Sequence, residues 1–159
     1  MIKATLSIVS VGMFIVAQCG TSREFVEFYK LPESEQTRQF AKFPIEKQID
    51  FHLQAMSMEP PEMKFAQIIA DQGDIIIPPV LARLKTDRHD RRTLDYMLIF
   101  KEFCRRRNCE QTNPQLLSDL EKEIVRIEDP FWREKAEKDI ALMRGAPVPF
   151  PTVTTTRPK

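Results

Sequence analysis

An all-α fold is predicted by three features of this sequence. Apolar residues past residue 20 recur at the 3.6-residue helical period. Glycine is scarce, four in 159 residues, so the tight hairpins of a sheet protein would lack their usual turn residue. The twelve prolines stand at the edges of periodic stretches or in the final segment, where they open or close helices rather than interrupt them.

Taken in chain order, Thr21 and Glu24 have capping-box spacing and predict a short helix carrying Phe25, Val26, Phe28 and Tyr29, which stops before Pro32. Its aromatic residues are expected to pack on the domain, with a membrane surface as the alternative. Glu33 to Lys42 reads as a second short helix. Pro44 opens a third, with Ile45, Ile49, Leu53 and Met56 on one face. Pro60-Pro61 ends it and starts a fourth, whose Phe65, Ala66, Ile69 and Ala70 form a stripe closed by Gly73. Residues 74–79 turn into a helix holding Val80, Leu81 and Leu84.

From Asp90 to Arg106 the apolar residues point all round the cylinder, from Leu94 through Tyr96, Met97 and Phe100 to Phe103, which marks a mostly buried central helix. A buried strand over 96–100 is the alternative, opposed by the charged, helix-favouring flanks. Asn113-Pro114 and Asp129-Pro130 are each an N-cap followed by proline at the first helical position. The first opens a helix with Leu117, Leu120, Ile124 and Ile127. The second opens one with Trp132, Ala136, Ile140 and Met143 on a stripe that predicts a buried Trp132.

These helices group into pairs over 44–73, 75–107 and 114–145. Within the second pair, Pro79-Val-Leu-Ala-Arg-Leu84, a turn at Asp87 and a long apolar helix resemble one repeat of the HEAT class. The resemblance implies antiparallel helix pairs stacked into a short superhelix with a concave binding face. A closed helical bundle is the alternative architecture.

The net charge is +1, and removal of Lys3 with a leader would bring it to zero. A neutral chain exerts no global attraction on nucleic acid or anionic lipid, so no nucleic-acid partner is expected. Locally, residues 83–107 are basic and 110–129 lean acidic, which predicts neighbouring helices with mutually attractive solvated faces.

Lys3 is followed by an uncharged run from Ala4 to Ala17 and then Gln18-Cys19-Gly20. A helix needs about 20 apolar residues to cross a bilayer, so this run has the length of a signal-peptide core instead. Val16-Ala17-Gln18-Cys19 resembles the lipobox of bacterial lipoproteins, with Val16, Ala17 and Cys19 matching and Gln18 standing where Gly, Ala or Ser is usual. That resemblance implies removal of residues 1–18 and attachment of diacylglycerol to the Cys19 thiol. It also implies acylation of the new amino group, typically by palmitate, and stable anchoring in a membrane. Conventional cleavage after Ala17, or an uncleaved or cytosolic chain, are the alternatives. Gly20 resembles the residue that follows the cysteine in lipoproteins sorted to the outer membrane. The expected organisation is a signal peptide (1–18), an anchor linker with a short helix (19–32), a helical domain (33–145) and a disordered Pro/Thr-rich tail (146–159).

With Cys19 lipidated, Cys104 and Cys109 remain as an even pair in an oxidising compartment, and a disulfide is expected between them. In one continuous helix their Cα atoms would lie about 8–9 Å apart, beyond the roughly 7 Å that a bridge tolerates. The helix must then end between them, with Arg107-Asn108 as the place and Asn108 as a left-handed cap. Two unpaired thiols, with Cys104 simply in the core, are the alternative.

No constellation for catalysis is legible. His52 adjoins the stripe of Ile49 and Leu53 and is expected to be a satisfied, partly buried side chain. His89, in a charged turn, lacks a second histidine at metal-ligand spacing. Glu121, Glu123 and Glu128 are expected on a solvated face. No catalytic, cofactor-binding or metal-ligating residue is assigned, and no cofactor is expected. The sequence therefore predicts a membrane-tethered protein-interaction module of the bacterial cell envelope, facing the periplasm, with another envelope protein as partner. The alternatives are a periplasmic immunity or inhibitor protein against a secreted effector and, third, an envelope enzyme.

Overall fold

A computed structural model describes residues 21–145, and every regular element among them is helical. Cys19, the leader and the segment 146–159 lie outside the described residues. Helix α1 (Arg23–Tyr29) is capped by Ser22, whose Oγ accepts the Phe25 N–H at 3.2 Å. The cap falls one residue later than Thr21 because Ser22 is itself held by α3 (Ile45–Met56): its N–H donates to Gln54 Oε1 at 2.6 Å. Helix α2 (Glu33–Phe40) turns its buried Gln36 back on α1, donating to the carbonyl oxygens of Tyr29 and Leu31 at 2.8 and 2.7 Å. Those otherwise unpaired carbonyls are thereby satisfied.

Pro60-Pro61 delays the next helix further than the periodicity suggests. The Glu62 N–H is spent on the Ala55 carbonyl, and α4 runs only from Lys64 to Ala70. Gly73, at φ 81°, supplies the left-handed residue after α4 and opens a 3-10 turn (Gly73–Ile76) into α5 (Ile77–Thr86). Helix α6 (Asp90–Arg105) is one unbroken helix through 96–100. Its Met97, Ile99, Phe100 and Phe103 are fully buried, while Leu94 and Leu98 are half-buried on the one face, with Arg91 and Arg105, that stays open to solvent. A short helix α7 (Cys109–Thr112), which the periodicity does not show, leads to α8 (Pro114–Ile124) and α9 (Pro130–Met143).

The three helix pairs stack. Helix α3 packs on α4, α5 on α6 and α8 on α9; α3, α5 and α8 then touch in succession, as do α4, α6 and α9. Helix α6, in the middle of the second layer, has α4 on one side and α9 on the other. At one end of the stack α1 and α2 add an aromatic cluster. The Phe28 ring lies 5.1 Å from Phe51, 5.7 Å from Phe43 and 5.8 Å from Phe65, and Phe40 stacks on Phe65 at 4.4 Å. The α1 aromatics thus pack on the domain.

Cys104, in the last turn of α6, is bridged to Cys109, the first residue of α7, with Cα atoms 5.3 Å apart. The helix ends between them, at Arg105. Asn108 is not left-handed, however; its side chain caps α7 by accepting the Gln111 N–H, which rewards an extended rather than a left-handed backbone. Thiol titration of the unfolded, unreduced protein should find neither cysteine free. Reducing the bridge should cost about 2 kcal/mol, since the closed loop is short, and lower the melting temperature without abolishing folding.

The two oppositely charged stretches adjoin where α5 touches α8, but among the described residues no ion pair joins them. Arg83 pairs with Glu46 and Asp50 on α3, Lys101 with Asp139 at 2.9 Å and Arg106 with Asp71 at 2.7 Å. Glu110 and Glu121 both reach Arg144. Stacking places α6 against α4 and α9, so its basic residues meet acids from those layers instead.

Candidate functional site

Where α6 begins, the turn after α5 and the turn between α8 and α9 enclose a cleft of about 480 Å³. Its shape is set by Asp90, whose Oδ2 accepts the N–H groups of Glu128 and Asp129 at 3.1 and 2.9 Å, tying the α8–α9 turn to the first residue of α6. Asp129 in turn caps α9 by accepting the Phe131 N–H at 2.8 Å. Asp87, on the opposite lip, accepts from the His89 N–H, the Tyr96 hydroxyl and Arg92. The cleft's acids are therefore mostly occupied in holding its walls.

One of them is buried. Glu123, expected on a solvated face, is only 7% exposed and pairs with Arg126 at 2.5 Å. Arg88 and Arg91, by contrast, are exposed and make no ion pair or side-chain hydrogen bond to another described residue. Thr93 sits in the cleft wall, 8% exposed, and its hydroxyl has no hydrogen-bond partner among the described residues. Helix α6 has no side-chain cap, and the N–H groups of Asp90, Arg91 and Arg92 find no acceptor there. The helix dipole favours negative charge at this end, but Asp87, Asp90, Glu123, Glu128 and Asp129 line the same cleft beside Arg88, Arg91 and Arg126, so the cleft is not a basic pocket.

Trp132 lines the cleft and is half-buried rather than buried: the packed stripe of α9 comprises Ala136, Ile140 and Met143, while Trp132, a turn earlier, lies where the stack ends. The Phe131 ring sits edge-on to it at 4.8 Å and is 56% exposed. Lys135 lies over the Phe131 ring at 4.7 Å. An aromatic wall beside a charged rim is suited to holding a polypeptide side chain with an apolar stem and a polar end.

The histidines fall apart. His89 stands at the cleft rim, exposed. His52 is fully buried on α3, its Nε2–H donating to the Asp95 carbonyl oxygen at 3.0 Å and its Nδ1 without a partner. Burial lowers its pKa from 6.5 to about 4, so it is neutral at neutral pH. Asp95 itself is pushed up from 3.8 to about 6 by burial, against the pull of Arg91 and Arg92. Among the described residues no group of three or more His, Cys, Asp and Glu side chains is placed to hold a metal ion, and no helix is long and apolar enough to cross a membrane.

This cleft has no local signature in the sequence. The only signal it offered was negative: a long helix opening on His89-Asp90 without a Ser or Thr cap. No protein-family model matches the chain, and no curated protein or solved structure does either.

Proposed function

We propose that this chain is a lipid-anchored lipoprotein of the bacterial cell envelope. It serves as a protein-interaction module and docks a second envelope protein at the cleft between α6 and the α8–α9 turn. The observation that carries the reading is Val16-Ala17-Gln18-Cys19 after an uncharged run of signal-peptide length. The Cys104–Cys109 bridge supports it, because such bridges persist in oxidising compartments such as the periplasm. Docking next to this cleft is favoured by Phe131, which is 56% exposed and lies edge-on to Trp132, the half-buried aromatic of the cleft lining.

A photo-crosslinking residue at position 131 tests the docking in intact cells. One envelope protein should be captured there and not from position 38 on α2, far along the chain from the cleft. Capture from both positions alike, or from neither, contradicts the reading; capture of a single secreted toxin would favour the inhibitor alternative. Trp132→Ala should reduce capture strongly while costing about 1–2 kcal/mol of stability, less than a fully buried tryptophan would. Thermal unfolding of the purified variant separates the two effects.

A further inference from the structure

An anchor at Cys19 would leave the domain little freedom against the lipid, because the connecting chain is so short. Only Gly20 and Thr21 stand between Cys19 and Ser22. Stretched to its limit, that connection spans about 11 Å. Ser22 is no loose end. Its Oγ caps α1 by accepting the Phe25 N–H at 3.2 Å, and its own N–H donates to Gln54 Oε1 at 2.6 Å. Phe25 behind it is buried, its ring edge-on to Phe51 of α3 at 5.3 Å. An acyl group on Cys19 is therefore held against the folded domain with no spacer.

Gln54 lies in the last turn of α3, so the anchor reaches the domain at the corner where α1 begins and α3 ends. The α3–α4 turn belongs to the same corner, because the Glu62 N–H returns to the Ala55 carbonyl oxygen at 3.2 Å. For a surface turn it is apolar. Met56 and Met58 are half-buried, Pro60 and Pro61 are exposed, and Met63 is 58% exposed. The charges around it cancel. Glu24 pairs with Lys47, Glu27 with Lys30 and Glu62 with Lys64. Arg23 and Glu59, one of each sign, have no ion pair among the described residues.

Resting on the lipoprotein reading, we propose that this corner, the start of α1 with the α3–α4 turn, is seated on the lipid headgroups. The occupant is a bilayer surface, brought there by the anchor. A contact too weak to hold a free domain is populated when a short tether raises its effective concentration into the millimolar range. The methionines and prolines enter the headgroup layer without stranding a charge there. Having no net charge, the corner gains nothing from anionic lipid. The seat also leaves the cleft accessible. Helices α3, α5 and α8 touch in succession, so two helix spacings, about 16–20 Å, separate the seated layer from α8.

Fluorescence quenching of the acylated mature chain in phosphatidylcholine vesicles, with nitroxide on a fraction of the headgroups, tests the seat. Cys104 and Cys109 are bridged and Cys19 would be acylated, so a single introduced cysteine takes the fluorophore. S57C and M63C mark the corner and K122C on α8 marks the far layer, each replacing an exposed side chain. The fluorophore should lose most of its emission at 57 and 63 and little at 122. About ten Gly/Ser residues inserted between Gly20 and Thr21 would let the domain stray roughly 20 Å and should restore emission at 57 and 63. Replacing part of the phosphatidylcholine with phosphatidylglycerol should leave the pattern unchanged. Equal quenching at all three positions, no recovery with the spacer, or quenching that needs phosphatidylglycerol would overturn the seat alone. A chain whose mass shows no acyl group would overturn the lipoprotein reading and the seat with it.

Discussion

Phe28→Ala is expected to destabilise the protein by about 3–5 kcal/mol, the cost of emptying a fully packed aromatic site. The Phe28 side chain is 5% exposed and its ring is within 6.3 Å of five others, contributed by α1, α2, α3, α4 and the α2–α3 turn. Removing it opens a cavity whose walls belong to several elements and cannot all collapse inward. Denaturant unfolding of the full chain in detergent should show a lower midpoint with little change in slope. If α1 served instead as a membrane-surface helix, the same substitution would be nearly neutral in unfolding and would weaken vesicle binding.

Asp95→Asn is expected to do the opposite at neutral pH and raise stability by about 2–3 kcal/mol. Burial lifts the folded pKa of Asp95 from 3.8 to about 6, so between those values the native state holds a proton that the unfolded chain has lost. Its contribution is most favourable below pH 3.8 and is lost as the pH rises through 6. His52 runs the other way. Its folded pKa is depressed from 6.5 to about 4, so in that window the unfolded chain binds the extra proton. Its stability is complete above pH 6.5 and is lost, by about 3 kcal/mol, as the pH falls to 4. The two slopes oppose each other between pH 4 and 6, and on their account the native protein should be nearly flat there. Asp95→Asn removes one of them, so its stability should fall steeply with acid over the same range. Parallel slopes for the two proteins would mean that Asp95 is not titrating in a buried setting.

Helix identity was legible where the chain's own neighbours decide it. The central helix could be read because Tyr96, Met97, Phe100 and Phe103 spread apolar surface over most of it, leaving only a narrow face with Arg91, Glu102 and Arg105 to solvent, and Asp129-Pro130 marked the start of α9 because capping is local. What escaped notice depends on partners distant in sequence. Gln36 is buried because it satisfies α1 carbonyls, Glu123 because α8 turns it under Arg126, and Asp95 because α6 carries it inside. The ion pairs were misassigned for the same reason, since charge patterning along a chain does not reveal which layers meet. The cleft is the extreme case. It exists only because Asp90 holds a turn 38 residues away, and no local pattern announces that bond.

Lipidation of Cys19 is the step on which the proposed envelope location rests. Intact mass spectrometry of the protein extracted from membranes, followed by sequencing of its N-terminal peptide, tests it most directly. The expected product is a chain beginning at Cys19, heavier by a diacylglycerol and an amide-linked acyl group, with an unprocessed precursor when Cys19→Ala is expressed. A soluble, unmodified chain beginning at Met1 would contradict it.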